Sequence, residues 1–507
     1  MLVVRAPFVL AAMLAGLTGC SSTFTPKPCA ADGDCGDGLV CDAQGGQPVC
    51  RAAAHAPLRI GMSAPISGPS QELGAAMKLG VTLAFDAQNG AGGIRGRQLV
   101  LEFRDDAYQP PLAEQNTRAL LDVRPGAGAV RCPTTTKPVV AGQMPVSTTP
   151  LERGPDAVLA LLGNVGTPTM VRSAPIALET GTLFFGAFTG ASKLLRDGLA
   201  GPCHRDVFNV RASYAAEARA ALEFFFDAKV PDAAHLLSFD QNDAFGQAGY
   251  DGLVAAYQAI KGGFTPAPAD AATPIPRFRY TRDDQTSVPA QVSAAAAYLG
   301  KLLAGDGKSH TVGVFMTDTY GPATTFITQL RQWQYGNGPD QGALQMATRL
   351  TLHFVNVSFV GPNALAARLK SAGSIATPGG AAPYSANVVL SQVVPNYQSD
   401  SSDVVQAYQK LVQASGASAG FTSLEGYVAA RVFIAGLLTH HGLFTPEALV
   451  ATFEQLPDLS LGLGASAGFS PSDHDYSKSV WGTTLAADGT FQNRYFWTEG
   501  TPLQLFE

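Results

Sequence analysis

Charge is scarce in this chain. Only 15% of its 507 residues are Asp, Glu, Lys or Arg, and 34 basic side chains face 40 acidic ones for a net charge of −6. No basic run or stripe occurs, which excludes the electrostatic footprint of nucleic-acid binding or of adhesion to an anionic membrane surface. Histidine is also sparse, with eight in all. His440 and His441 are adjacent at a predicted helix end, where cations suit the dipole, but sequence neighbours do not share a helical face and make a poor metal pair. The pattern G-x-S-x-G occurs twice as "GASAG", at 416–420 and 464–468. Both copies sit in Gly/Ala/Ser loops without the strand and helix that frame a nucleophile elbow. No nucleophile, base or metal set stands in a credible context, so no catalytic residue, metal or cofactor is expected. Beyond the N-terminus no segment reads as long and apolar enough to cross a bilayer.

What is present begins with "MLVVRAPFVLAAMLAGLTGC". Arg5 supplies a thin positive start, Ala6 to Leu17 an apolar stretch too short to span a membrane, and Leu17-Thr18-Gly19-Cys20 resembles a bacterial lipobox. The resemblance implies cleavage before Cys20 and lipidation of its thiol; an ordinary signal peptide with an incidental cysteine is the alternative. Two or more acyl chains give stable anchoring, where one is marginal.

With Cys20 set aside, six cysteines remain of seven. Cys29, Cys35, Cys41 and Cys50 fall in a stretch rich in Gly and Asp with little to bury, which needs staples such as disulfides in an oxidising compartment. The spacing permits three pairings and selects none. A zinc site lacks Cys-x-x-Cys and a nearby histidine. Asp32, Asp34 and Asp37 fit turn chemistry better than a calcium loop. A bridge between Cys132 and Cys203 would complete the set.

From Leu58 the chain alternates strand and helix: "LRIGMSAPISG", "QELGAAMKLGVTLAFDAQN", "RQLVLEFRDD", "PLAEQNTRALLD", "AVLALLGNVG", "GTLFFGAFTG" and the helix "ASKLLRDG". A second set follows from Asp206, including "AHLLSFDQNDAFG", "TVGVFMTDTYGP" and the strand "LTLHFVNVSFVG". The helical stretch "SLEGYVAARVFIAGLLTHHG" and a helix opened by Thr445-Pro446 come later. The pattern predicts an α/β fold with mostly parallel sheets and right-handed crossovers. Val123 to Asp156, rich in Pro and Gly, reads as an insertion.

Ligands of open α/β sheets sit beyond the strand C-termini, where free helix N–H groups and the helix dipole form an anion site. Two junctions of this kind occur, Gly163-Asn164-Val165-Gly166-Thr167-Pro168-Thr169 and Gly186-Ala187-Phe188-Thr189-Gly190. Each carries a hydroxyl that could equally cap its own helix.

"LLGNVGTPT", "FGAFTGASKLL", "VFNVRASYAAEA", "QNDAFG", "TDTYGPATTFITQLR", "VNVSFVG", "SLEGYVAARV" and "FSPSDHDYSKSVW", in this order after the "IGMSAPISGPSQELG" stretch, resemble the type I periplasmic binding proteins of the leucine/isoleucine/valine class. The resemblance runs from about Leu58 to the end and leaves out the cysteine module and the 123–156 insertion. It implies two Rossmann-like lobes joined by three hinge crossovers that close on ligand. The divisions expected are 1–19 signal peptide, 20–56 lipidated Cys-rich module, 57–211 with 396–478 as one lobe, and 212–395 with 479–507 as the other. It further implies that Thr167 binds a ligand carboxylate, that the Ala187 carbonyl accepts from an ammonium, and that Thr189 contacts ligand. Leu73 stands at an aromatic wall position, Phe245 at that of a pocket tyrosine, and Tyr320 resembles another lining aromatic. Where the family carries an ammonium-pairing glutamate this chain has Ser358, and Asp318 is the nearest substitute. Arg211 could brace the first crossover or form a plain surface salt bridge, and Glu425 and Tyr427 read as lobe-packing or hinge-side groups. The implied partners are a small carboxylate solute, most simply an amino acid, and an ABC permease, with contact to the membrane through the lipid alone and the protein a monomer facing the periplasm or cell surface. A ligand sensor or surface interaction protein is the second class considered.

Overall fold

The computed structural model describes residues 26–43, 47–132, 149–192, 196, 201–227, 235–261, 275–306, 308–336, 349–464, 467–486 and 489–506. The signal peptide and Cys20 lie outside them, as does most of the helix expected over "ASKLLRDG".

The cysteine module is an antiparallel hairpin of β1 (Leu39–Asp42) and β2 (Val49–Ala52). Disulfides Cys29–Cys41 and Cys35–Cys50 close it and choose one of the three open pairings. The aspartates hold turns: Asp34 accepts from the N–H groups of Ala30 and Ala31 at 2.7 and 2.9 Å, and Asp32 from that of Cys41 at 2.8 Å. The module is fastened to the body by two arginines. Arg97, 1% exposed, donates to Asp42 at 2.8 Å and to the Ala56 carbonyl. Arg95 pairs with Asp32 at 2.6 Å and lies 4.0 Å over the Phe444 ring.

The first lobe is built on a five-stranded parallel sheet, β3 (Leu58–Ala64), β4 (Leu99–Asp105), β7 (Ala160–Leu162), β8 (Leu183–Phe185) and β9 (Val207–Phe208), in the order β4-β3-β7-β8-β9. Helices α1 (Gln71–Gly90), α2 (Pro110–Leu120) and α3 (Thr167–Glu179) form the crossovers. The insertion is closed at its root by a short ribbon, β5 (Arg124–Pro125) with β6 (Leu151–Glu152). Disulfide Cys132–Cys203 then ties that root to the turn preceding β9.

In the second lobe α4 (Tyr214–Asp227), α5 (Ala244–Lys261), α6 (Val288–Asp306), α7 (Tyr320–Gln334) and α8 (Pro362–Ala372) accompany an eight-stranded sheet. Its parallel part is β10 (His235–Gln241), β11 (Arg277–Tyr280), β12 (His310–Thr317), β13 (Leu350–Asn356) and β16 (Val388–Gln392), ordered β11-β10-β12-β13-β16. The expected strand over "LTLHFVNVSFVG" stops at Asn356, because Ser358–Val360 turn as a single 3-10 helix. A hairpin, β14 (Ser374–Thr377) with β15 (Gly380–Pro383), precedes β16. The chain then returns to the first lobe as α9 (Asp403–Ser415), α10 (Phe421–Thr439) and α11 (Pro446–Glu454). It crosses back to add antiparallel strands β17 (Ser479–Leu485), β18 (Phe491–Thr498) and β19 (Gln504–Leu505) to the second sheet. Three connections therefore join the lobes, after β9, after β16 and before β17.

Helix α10 corrects one expectation. Its 19 residues have a mean hydropathy of 1.3 and are long and apolar enough to cross a membrane by composition, yet 83% of that stretch is buried inside the protein. It is a core helix lying against α1. The contact is so close that a Cβ at Gly80 would stand 2.0 Å from the Ser423 carbonyl oxygen and 2.5 Å from the Tyr427 nitrogen. Backbone cannot give way as a flexible side chain does, so Gly80→Ala is expected to lower stability by about 1–3 kcal/mol, read by urea denaturation. An unchanged midpoint would show that the helices are free to separate.

Candidate functional site

The two helix-start junctions meet. After β7 the chain turns through Gly163 and Gly166, both at positive φ (73° and 98°), so that Gly166 caps α3 without a side-chain bond. Glycine is required there twice over, since a Cβ on Gly166 would lie 2.3 Å from the Tyr108 ring. Thr167 opens the helix, and its Oγ1 lies 2.7 Å from Oγ1 of Thr189, from the next strand's junction. Thr189 Oγ1 also receives the Ala191 N–H at 3.2 Å and donates to the Tyr214 hydroxyl at 3.3 Å. The Ala187 carbonyl accepts the Thr189 N–H at 2.8 Å, leaving it one lone pair. Thr169 is spent locally, on the Gly166 and Val165 carbonyls.

Second-lobe aromatic rings gather beside this pair of threonines, through Tyr214 and Phe188. Phe245 lies tilted against Tyr214 (5.4 Å between centroids) and edge-on to Phe359 (4.7 Å), and Phe359 also meets Phe188 (4.9 Å) and Tyr108 (6.2 Å). Leu73 and Tyr320 converge on Gly361, where a Cβ would lie 2.8 and 3.0 Å from their side chains. The Tyr320 hydroxyl donates across the lobes to the Pro69 carbonyl at 2.5 Å. Further bonds between the lobes run from Arg282 to the Tyr108 carbonyl (3.0 Å) and from Gln109 to Asp283 (2.7 Å). The lobes are thus shut, with Thr167, Thr189, Phe245 and Phe359 at most 1% exposed. Burial pushes the Tyr108 phenol well above its usual range and that of Tyr214 up to about 12, so both stay neutral donors. A groove of about 1570 Å³ opens beside this group and reaches Gly190, Ser213 and Ala244 next to the threonine and aromatic residues.

Ser358 faces elsewhere. Its N–H and hydroxyl donate to the two oxygens of Glu217 at 2.6 and 3.0 Å, and its Oγ receives Arg211. Arg211 also pairs with Glu217 at 2.9 Å and with Glu425 of α10 at 3.2 Å. All of these side chains are buried, so Arg211 is no surface salt bridge: it binds α4, the Ser358 turn and α10 through the first crossover. Burial raises Glu425 to about 7 against the pull of Arg211. Asp318 directly follows β12, Asn356 ends the neighbouring β13, and Asn356 Nδ2 donates to Asp318 Oδ1 at 2.7 Å. His440, read as a cation at a helix end, is instead held neutral by burial, with its ring bonded to Thr452 and the Leu443 carbonyl.

The sequence reading missed Tyr108, Phe188, Tyr214, Phe359 and Asn356. A signal for Tyr108 was present in "DDAYQP", an aromatic just past a strand end; the others are ordinary apolar or polar residues that gain meaning only by meeting across the lobes.

A family model described as "Periplasmic binding protein" matches residues 57–140 and 155–490. The match reaches into the 123–156 segment from both sides, so the part outside the family is shorter than expected, 141–154. A possible leucine/isoleucine/valine-binding protein from Rhodopirellula baltica SH 1 is 29% identical, with a TM-score of 0.65 over 87% of this chain and 96% of that one. A branched-chain amino acid ABC transporter protein from Thermus thermophilus with bound valine shares the fold at 13% identity (TM-score 0.59, 88% of this chain and 97% of that one). Leu/Ile/Val-binding protein homolog 3 of Brucella melitensis is 44% identical over 59 residues, 12% of this chain and 16% of its own length. These relatives are solute-binding proteins, not enzymes. With a two-lobed, three-crossover body and a family match over most of its length, the chain belongs to the periplasmic binding proteins, with their type I fold.

Proposed function

We propose that this protein is a lipid-anchored, extracytoplasmic solute receptor that binds a small carboxylate between its lobes and delivers it to an ABC permease. The observation that carries the reading is the 2.7 Å meeting of Thr167 and Thr189 at the start of α3, beside Phe245 and Phe359 of the opposite lobe. Two hydroxyls, the positive end of a helix dipole and dry aromatic surroundings together suit an anionic head with an apolar body. Ala187 offers its remaining lone pair beside them, Leu73 and Tyr320 wall the far end, and the lobes divide at 57–211 with 396–478 against 212–395 with 479–507. Export is supported by the family and by three disulfides among the described residues, and anchoring by Leu17-Thr18-Gly19-Cys20. A sensing role draws support from the docked cysteine module, which solute capture by itself does not need.

Calorimetric titration with branched-chain and aromatic amino acids tests the site. Thr167→Ala and Thr189→Ala are each expected to weaken binding roughly tenfold to a hundredfold, the worth of one hydrogen bond to a charged group. Full affinity in both variants would move the site elsewhere.

A further inference from the structure

Resting on the lipid anchor of that reading, we infer that the cysteine module is a clamp. It fixes the short tether from Cys20 to the outer end of the first lobe and so holds that end near the lipid surface. The module is fastened at two points. Its Asp42 is buried against Arg97, itself 1% exposed, at 2.8 Å, and Arg97 also donates to the Ala56 carbonyl. Arg95 pairs with Asp32 at 2.6 Å, reaches the Gly442 carbonyl at 3.0 Å and lies over the Phe444 ring. A buried ion pair meets both charges in one geometry only, so this contact orients the module as well as attaching it.

The chain entering the module is fixed as well. The Cys50 N–H donates to the Lys27 carbonyl at 2.8 Å, Pro28 pairs with Val49, and Cys29 is bridged to Cys41. From Lys27 onward the chain therefore moves with the first lobe. Lys27 stands seven positions after Cys20, which gives a reach of at most about 25 Å in any conformation. Were the module loose, the first fixed point would be Leu58 at the start of β3. The leash, running through the Cys35–Cys50 bridge, would then extend to about 80 Å. Docking thus shortens the tether about threefold without removing a residue.

The place of attachment decides which end is held. Ala56 and Arg97 precede β3 and β4, so the module sits at the N-terminal ends of the parallel strands of the first sheet. Thr167 and Thr189 follow the C-terminal ends of β7 and β8 in that sheet. The length of β3, seven residues or about 20 Å, lies between the two levels. The clamped end is therefore the end of the first lobe away from the cleft, and the second lobe lies beyond the cleft. Hinge closure then displaces the second lobe relative to the bilayer while the first keeps its place.

The test uses the full chain, matured and purified from membranes, in phosphatidylcholine vesicles that carry an acceptor dye on the headgroups. A donor dye is placed on a cysteine introduced as His441→Cys or Ser309→Cys, both exposed positions. His441 adjoins Gly442 at the clamped end, whereas Ser309 precedes β12 and marks the outer end of the second lobe. Energy transfer is expected to be at least about threefold stronger from 441 than from 309, because the tether is shorter than the molecule. Arg95→Ala with Arg97→Met should loosen the module and bring the two positions close to equal. An insert of roughly 40 Gly and Ser residues after Ser22, which alters no docked residue, should do the same. Equal transfer from both positions in the unaltered protein overturns the inference while the anchor stands, and so does a ratio that survives both changes. A ratio lost with the insert but kept in the folded arginine variant overturns the clamp. An N-terminal peptide without lipid on Cys20, by mass spectrometry, overturns the anchor and the inference with it.

Discussion

Arg211→Met is expected to lower folding stability by about 3–5 kcal/mol, because it leaves two buried carboxylates facing each other with their shared counter-charge gone. The guanidinium is 2.9 Å from Glu217 and 3.2 Å from Glu425, and the carboxyls come from different lobes. The loss should depend on pH, with a sign that follows from the carboxyls. Both have folded-state pKa values raised above their ordinary value, Glu425 to about 7. A raised acid contributes its stability fully below the unfolded value, near 4.5, and loses it as pH climbs through the folded one. Without Arg211 the folded values rise further, so the variant suffers more as pH rises. The gap between wild type and variant should therefore be smallest at pH 4.5 and widen toward pH 7.5, in urea denaturation at the two values. Glu425→Gln in the Met background should recover part of the loss at pH 7.5 and little at 4.5. A gap that is the same at both would mean that packing, not charge, is what Arg211 supplies.

Opening the Cys132–Cys203 disulfide by a Cys132→Ser, Cys203→Ser pair should cost about 2–4 kcal/mol, since the bridge closes a long loop of the unfolded chain with a sequence separation of 71. It should also loosen the C-terminal end of α3, where the Arg131 and Cys132 N–H groups both donate to Glu179 at 2.9 Å. Because α3 begins at Thr167, ligand affinity is expected to fall with stability, in calorimetry and thermal melts on the same samples. Lost stability with unchanged affinity would show that the anion end of the helix is held independently of its far end.

Much of this was legible along the chain. Alternating strand and helix from Leu58, glycines at the helix starts and the order of the family motifs were enough for the fold class. They also pointed to Thr167 and Thr189, because a hydroxyl just after a strand-ending glycine is a local signal. Residues whose role depends on what lies opposite were not legible. Phe359 reads as one more apolar residue after a strand, and joins the rings beside the site only because Ser358–Val360 turn instead of extending. Arg211 left brace and surface pair undecided, since Glu217, Ser358 and Glu425 lie 6, 147 and 214 positions away. Helix α10, not read as a membrane span, nonetheless has a composition fit for one, which suits equally a helix wrapped by its own protein.

The sequence by itself determined what local chemistry can determine: strand and helix period, glycine-enforced turns, a stapled module with too little to bury, and the residue types at the helix starts. Tertiary structure decided which cysteines pair and which carboxylates share one guanidinium. The division has a physical cause. Backbone geometry and helix-end polarity act within a few residues, whereas burial and the pairing of charges are properties of side chains that meet only when two lobes close on each other.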